Sequence, residues 1–345
     1  MGHLSKALLF GVICWIPLAA SAFAQEGTLL VANRAGGSIS FIDFPTKIEV
    51  ARLPIGPTIP HEVAVSPDGR LALTAEYGPE SRHGQHVVLI SIPEARIVGR
   101  LDLAPKSRPH SVVFHPDGLH ALVTMQSSDR IAVIDVRAMK VVRTLPTGGR
   151  EGHMVRLSPD GSRAYVTSRG AEGTLSVIFL DEERPPVVIR TGRGAEGIAV
   201  TPDGREVWVA NRHEETISVV DAASLTVVAM LPSRPAAGRI EIGANGLAIV
   251  PNGGGGQIVP QYLGLFDVKA RKRLSEVPLS DGTPKDGNFG VLIRGDAAFV
   301  SDPDISSTIR TFDLRTFGKG APEVLATTPT PDGLAWSPVR VAVMR

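Results

Sequence analysis

Apolar and polar residues alternate in short runs along most of the chain: "SISFID" (38–43), "HEVAVS" (61–66), "RIAVID" (130–135) and "TISVVD" (216–221). A period of two sends successive side chains to opposite faces, which is strand behaviour. Turn residues punctuate the runs at short intervals. The strongest signal is Pro-Asp-Gly, in "SPDG" (66–69), "HPDG" (115–118), "SPDG" (158–161) and "TPDG" (201–204), with weaker versions at "GANG" (243–246) and "IRGD" (293–296). Proline fixes φ, aspartate bonds its own backbone, and glycine accepts positive φ. The turn glycines lie 42 to 49 residues apart, so the chain is a repeat.

Each unit predicts four strands. The first precedes the turn ("HSVVFH", "HMVRLS", "EGIAVT"), and the second follows it and ends in a polar residue. Second strands are read at "LVAN" (30–33), "ALTA" (72–75), "LVTM" (122–125), "YVTS" (165–168), "WVAN" (208–211), "IVPN" (249–252) and "FVSD" (299–302). The third runs to an acid, as in "SISFID", and the fourth carries segments such as "KVVRTLP". With "DGLAWSP" (332–338) as the last first strand, seven units result. The expectation is an all-β, seven-bladed β-propeller with four antiparallel strands per blade. The last segment closes the ring on the first sheet and leaves no open edge. An open solenoid would need capping units, which the sequence lacks. "VRVAVMR" (339–345) has no place in this scheme.

These segments, "YVTS", "WVAN" and "LVAN" followed by "SISFID" or "TISVVD" and punctuated by "SPDGR", resemble the YVTN-type repeats of secreted bacterial seven-bladed propellers over residues 27 to 338. The resemblance implies the fold. Its relatives include lactonases, metal-dependent lyases, dehydrogenase subunits and binding scaffolds, so it implies no single activity.

Residues 1–24 read as a cleaved signal peptide: Lys6, an apolar "ALLFGVICWIPLAA", then Ala22-Phe23-Ala24 before Gln25. The apolar run is short for a stable membrane span. The expected location is the periplasm or the medium, with residues 25–345 forming one domain. Cys14, the only cysteine, lies in that leader, so the mature chain has no disulfide or thiolate chemistry. A net charge of +1 gives no field for nucleic acid.

Counting back eight residues from each turn glycine or its equivalent gives His61, His110, His153, Glu196, Gly238, Gly287 and Asp332. In a propeller these positions stand side by side at the mouth of the central channel. Three imidazoles and an acid are a ligand set for a divalent transition metal of open identity. His61, His110 and His153 would hold it, with Glu196 as fourth ligand or general base and Asp332 as ligand or orienter. The two glycines would leave room for a substrate. A second ring after the second strands is read as Arg34, Glu76, Gln126, Arg169 and Arg212. Arg34, Arg169 and Arg212, with Arg239 beside its glycine, would bind an anionic small molecule. Asn288 could also face the gap. Insertions at 78–86, 252–261 and 279–288 could form a lid.

"GRGAEG" (192–197) matches a dinucleotide fingerprint without the helix it needs, and no nucleophile elbow, Walker loop or haem-attachment CxxCH is present. Three functional readings stand. The first is a metal-dependent enzyme, with lyase or hydrolase chemistry fitting the lack of an evident redox cofactor. The second is a non-catalytic scaffold binding a small molecule or a periplasmic protein. The third is a lactonase-like enzyme without the histidine site.

Overall fold

In a computed structural model of the chain, the described residues are 26–342, apart from 57, 58, 80, 255, 281, 283, 285–288, 303–306 and 326–329. The leader 1–24 with Cys14, the ring position Gly287, Asn288 and residues 343–345 lie outside them.

The strands form seven antiparallel sheets of four. Blade 1 pairs the C-terminal strand Pro331–Ser337 with Gly27–Asn33, Ser38–Phe44 and Ile48–Pro54, which closes the ring. Blades 2 to 7 follow in chain order, their innermost strands beginning at Pro60, Pro109, Gly152, Ala195, Glu241 and Val291. The fold is the seven-bladed propeller that the repeat predicts.

Each blade buries its middle strands on both faces, and hydrophobic clusters fill the spaces between neighbours. One joins Leu73, Val87 and Leu89 of blade 2 to Phe114, Val123 and Ile134 of blade 3. The outermost strands alternate between half-buried and exposed residues, as in Ile48–Pro54 and Arg96–Asp102. The repeating acids earn their places in turns. Asp68 Oδ1 accepts from the Arg70 N–H at 3.0 Å, and Asp203 Oδ1 from the Arg205 N–H at 3.1 Å, closing turns between first and second strands. Asp221 does the same between third and fourth strands, accepting from the Ser224 N–H at 2.7 Å.

Of the segment the repeat leaves unplaced, residues 339–342 form a strap. Thr28 Oγ1 donates to the Val339 carbonyl, Arg340 grips Asp43 with two bonds of 2.5 and 2.8 Å, and the Ala342 N–H donates to Pro93 O in blade 2. "GRGAEG" runs from a loop into the innermost strand of blade 5 and opens no helix. No helix among the described residues is long and apolar enough to cross a membrane.

Candidate functional site at the channel mouth

A repeated irregularity positions the ring. Where the innermost strand enters its blade, two residues oppose one. His61 and Glu62 face Ala75, His110 and Ser111 face Thr124, His153 and Met154 face Thr167, Glu196 and Gly197 face Ala210, and Asp332 and Gly333 face Ala32. A bulge of this kind bends the strand and re-aims a side chain. In all five blades the re-aimed residue is the ring residue, and each is buried.

Hydroxyls lock the bulges. Thr124 Oγ1 accepts from the Ser111 N–H (2.9 Å) and donates to the His153 carbonyl of the next blade (2.9 Å). Thr167 Oγ1 accepts from the Met154 N–H (3.2 Å) and donates to Glu196 O (2.7 Å). Ser301 Oγ accepts from the Gly290 N–H (2.6 Å) and donates to Asp332 O (3.0 Å). The Gly290 bond sets the register in blade 7: Gly290 occupies the position of Ser111 and Met154, so Phe289 stands at the ring position. Phe289 packs in the core with Leu263 and Phe312. An added Cβ at Gly290 would lie 1.9 Å from the Asp332 carbonyl oxygen, so the site admits only glycine.

The imidazoles stack. Ring centroids of His61 and His110 are 4.4 Å apart, and those of His110 and His153 are 3.8 Å apart. Tyr77 packs edge-on against His61 at 5.2 Å and His110 at 4.9 Å. Both ring nitrogens of His110 and of His153 are buried without a hydrogen bond among the described residues. Burial, aided by His153, His61 and nearby arginines, holds the His110 pKa well below the usual imidazole range. Burial lowers His153 to about 4 even though Glu196 opposes it. Both are therefore neutral at pH 7, the form that ligates metals.

Carboxylates flank the stack. His61 Nδ1 lies 3.3 Å from Asp332 and 3.4 Å from Glu62, and His153 Nε2 lies 3.5 Å from Glu196. Of the described groups, His61, Glu62 and Asp332 bring potential metal-ligating atoms within 4.8 Å of one another. Glu62 was absent from the sequence reading. Its signal was its place beside His61 in a bulge whose equivalents are small or apolar.

The arginines answer the carboxylates more than they await a substrate. Arg212 meets Glu196 at 2.8 Å, and Arg169 approaches it at 3.6 Å. Arg239 crosses the channel to Glu62 at 2.5 Å and lies 3.8 Å from Glu196 and 3.9 Å from Asp332. Burial opposes ionisation of Glu62 and Glu196, but Arg239 and His61 at the first, and Arg212 and His153 at the second, outweigh it and lower both pKa values. Burial raises Asp332 against the pull of His61 and Arg239. Gly238 opens no substrate space: an added Cβ would stand 2.5 Å from Arg212 Nη2, so the glycine makes room for that guanidinium.

The second ring also shifts. Backbone N–H groups of Arg34, Tyr77, Gln126, Arg169 and Arg212 each bond a carbonyl of the loop leading to the ring residue. Tyr77, and not Glu76, is therefore the blade 2 member. Buried Glu76 pairs instead with Arg100 and with His86 Nδ1 at 2.7 Å. Arg34 is half-buried, and its charge acts on Asp332. In the 78–86 insertion, His83 Nδ1 reaches Ser127 Oγ at 3.3 Å and so spans blades 2 and 3 over this face.

Residues 115–247 match the family model of the cytochrome D1 heme domain, a β-propeller family. The match includes His153 and Glu196 but not His61, His110 or Asp332. No curated protein matches the chain significantly. A chain of hydrazine synthase from Kuenenia stuttgartiensis superposes with a TM-score of 0.64 at 19% identity, over 74% of this chain and 77% of that one. A functionally unknown protein from Desulfotomaculum acetoxidans DSM 771 reaches 0.71 at 17% identity, over 90% and 99%. At these identities the likeness establishes the fold alone.

Proposed function

We propose that the channel mouth holds a divalent transition metal on His61, His110 and His153, and that the chain, exported to the periplasm, applies it to a small anionic molecule. The carrying observation is the stack of three buried imidazoles, the central one with neither nitrogen bonded. Buried polar atoms in native proteins almost always have a partner, so the unpaired nitrogens of His110 and His153 ask for one. Glu196 and Asp332 then act from behind. A metal-bound imidazole commonly leans its other nitrogen on a carboxylate. His153 has Glu196 for this, and His61 has Asp332 and Glu62. Three histidine ligands leave an open coordination position. A metal there would supply Lewis acidity and a bound water of lowered pKa, in keeping with lyase or hydrolase chemistry.

The matched family's description raises haem. The cavity beside the histidines does not fit one. Its volume is about 400 Å³, and its side chains are Arg108, Arg150, Arg169, Asp129, Glu151 and other polar groups, with Tyr77 the one aromatic. A flat macrocycle needs broad apolar walls.

Metal analysis of purified, tag-free protein tests the reading. About one equivalent of transition metal, lost in a folded His110→Ala variant, is expected. A second reading rests on Arg239, which already supplies positive charge to Glu62 and Asp332. It is a metal-free binding scaffold, and it gains if the protein carries no metal and chelation leaves its stability unchanged.

A further inference from the structure

We infer that Arg108, Arg150 and Arg169 form the recognition site for a small oxyanion, such as a short carboxylate or phosphate, seated beside the histidine stack. The inference deepens the proposed function by naming its substrate class. It rests on that reading only for the metal-facing end of the ligand.

Three of the four arginines expected to bind a substrate do not line the cavity. Arg212 and Arg239 are buried against Glu196 and Glu62, and Arg34 lies towards Asp332. The cavity of about 400 Å³ gathers Arg169 with two arginines the repeat pattern did not mark. Arg108 directly precedes Pro109-His110. Its guanidinium carbon sits 4.4 Å over the Tyr77 ring, the same ring that packs on His110. Its backbone is clamped: the N–H donates to Gly84 O, and the carbonyl accepts from the Gln126 N–H. Arg108 also takes a left-handed φ of +50°, a conformation costly for a residue with a Cβ. That cost suits a side chain whose direction matters.

Arg150 is exposed, and no ion pair engages it among the described residues. Of the two acids in the cavity, Asp129 already accepts the Glu151 N–H with Oδ1 at 2.7 Å, and Glu151 is exposed. Arg169 reaches down to Glu196, which lies 3.5 Å from His153 Nε2. The three guanidiniums thus lead from solvent to the imidazoles. Guanidinium forks match the paired oxygens of carboxylate and phosphate. Against Asp129 and Glu151 the three guanidiniums leave one net positive charge on the cavity, which matches a small oxyanion. Nearly all the walls are polar, which excludes a large apolar tail.

Calorimetric titration of malonate and of inorganic phosphate into the protein, as purified and after chelation, tests this. Saturable binding of at least one of the two anions is expected in both forms. Arg150→Gln should weaken it about tenfold, and Arg108→Gln by that or more. Arg205→Gln, beside a turn at the other end of the channel, should leave it unchanged. The two ligands distinguish carboxylate from phosphate as the natural chemistry. Should Arg108→Gln fail to fold, exposed Arg150 still decides. No saturable binding by either anion, or binding indifferent to Arg150→Gln, overturns the inference. Anion binding that obeys the arginines in a protein that carries no metal as purified would remove the metal reading and leave this site standing.

Discussion

Blades 2, 3 and 4 turn the imidazoles of His61, His110 and His153 into the channel mouth, whereas blades 5, 6 and 1 turn in Glu196, Arg212, Arg239 and Asp332. Both arcs use the same strand entry, and in blades 2 to 5 and 1 the same bulge. The charged arc is held by ion pairs: Arg239 alone lies within 3.9 Å of Glu62, Glu196 and Asp332. Unbonded polar atoms occur in both arcs: the four ring nitrogens of His110 and His153 in one, Glu196 Oε2 and both Asp332 oxygens in the other. What differs is charge: a guanidinium sits among the carboxylates of one arc, whereas His110 stacks between two further imidazoles in the other.

Breaking the charged arc should cost most. Arg239→Met leaves Glu62 and Asp332 buried without their shared cation, and a loss of roughly 3–5 kcal/mol is expected in denaturant unfolding at pH 7. Gly238→Ala pushes on Arg212 at its bond with Glu196, and about 1–3 kcal/mol is expected by the same measurement. Glu241, which borders the central channel below this arc, sharpens the comparison by pH. Burial raises its pKa to about 7 despite nearby Arg156. Between the ordinary carboxylate value of 4.5 and that value, the folded state binds the extra proton. Stability should therefore fall as pH rises through this window and level off above it. Glu241→Gln should flatten the slope and stabilise the protein at pH 8 by on the order of 1–2 kcal/mol, less than the full shift because the channel admits solvent. The smallest effect should come from the imidazole arc. In chelated protein, His110→Phe replaces an unpaired polar ring by an apolar one, and a change within about 1 kcal/mol of zero is expected. A loss as large as that of Arg239→Met would mean that the two arcs do not differ.

The fold was legible because each blade repeats its turn chemistry, and because the alternation of "SISFID" or "RIAVID" admits one secondary structure. The ring was legible where the spacing from ring residue to turn glycine stays at eight. Blade 7 broke the count because Arg294 pairs directly with Ala297 across the tight turn of Gly295 and Asp296, which shortens the hairpin by two residues and brings Phe289 to the ring. Blade 2 misled by one residue, since "LTAE" and not "ALTA" corresponds to "LVAN", and Tyr77 was lost to Glu76. Glu62 and the crossing of Arg239 were illegible for another reason. They depend on which side chains meet across a channel, and such distances leave no period in a sequence.

The hydroxyls of Thr124, Thr167 and Ser301 give the circle a sense of rotation. Each receives from its own sheet and hands its proton onward to the following one, so a disturbance at Thr124 should reach His153 before it reaches His110. Tuning the innermost side chains thus calls for edits at these hydroxyls, one sector upstream of the residue to be moved.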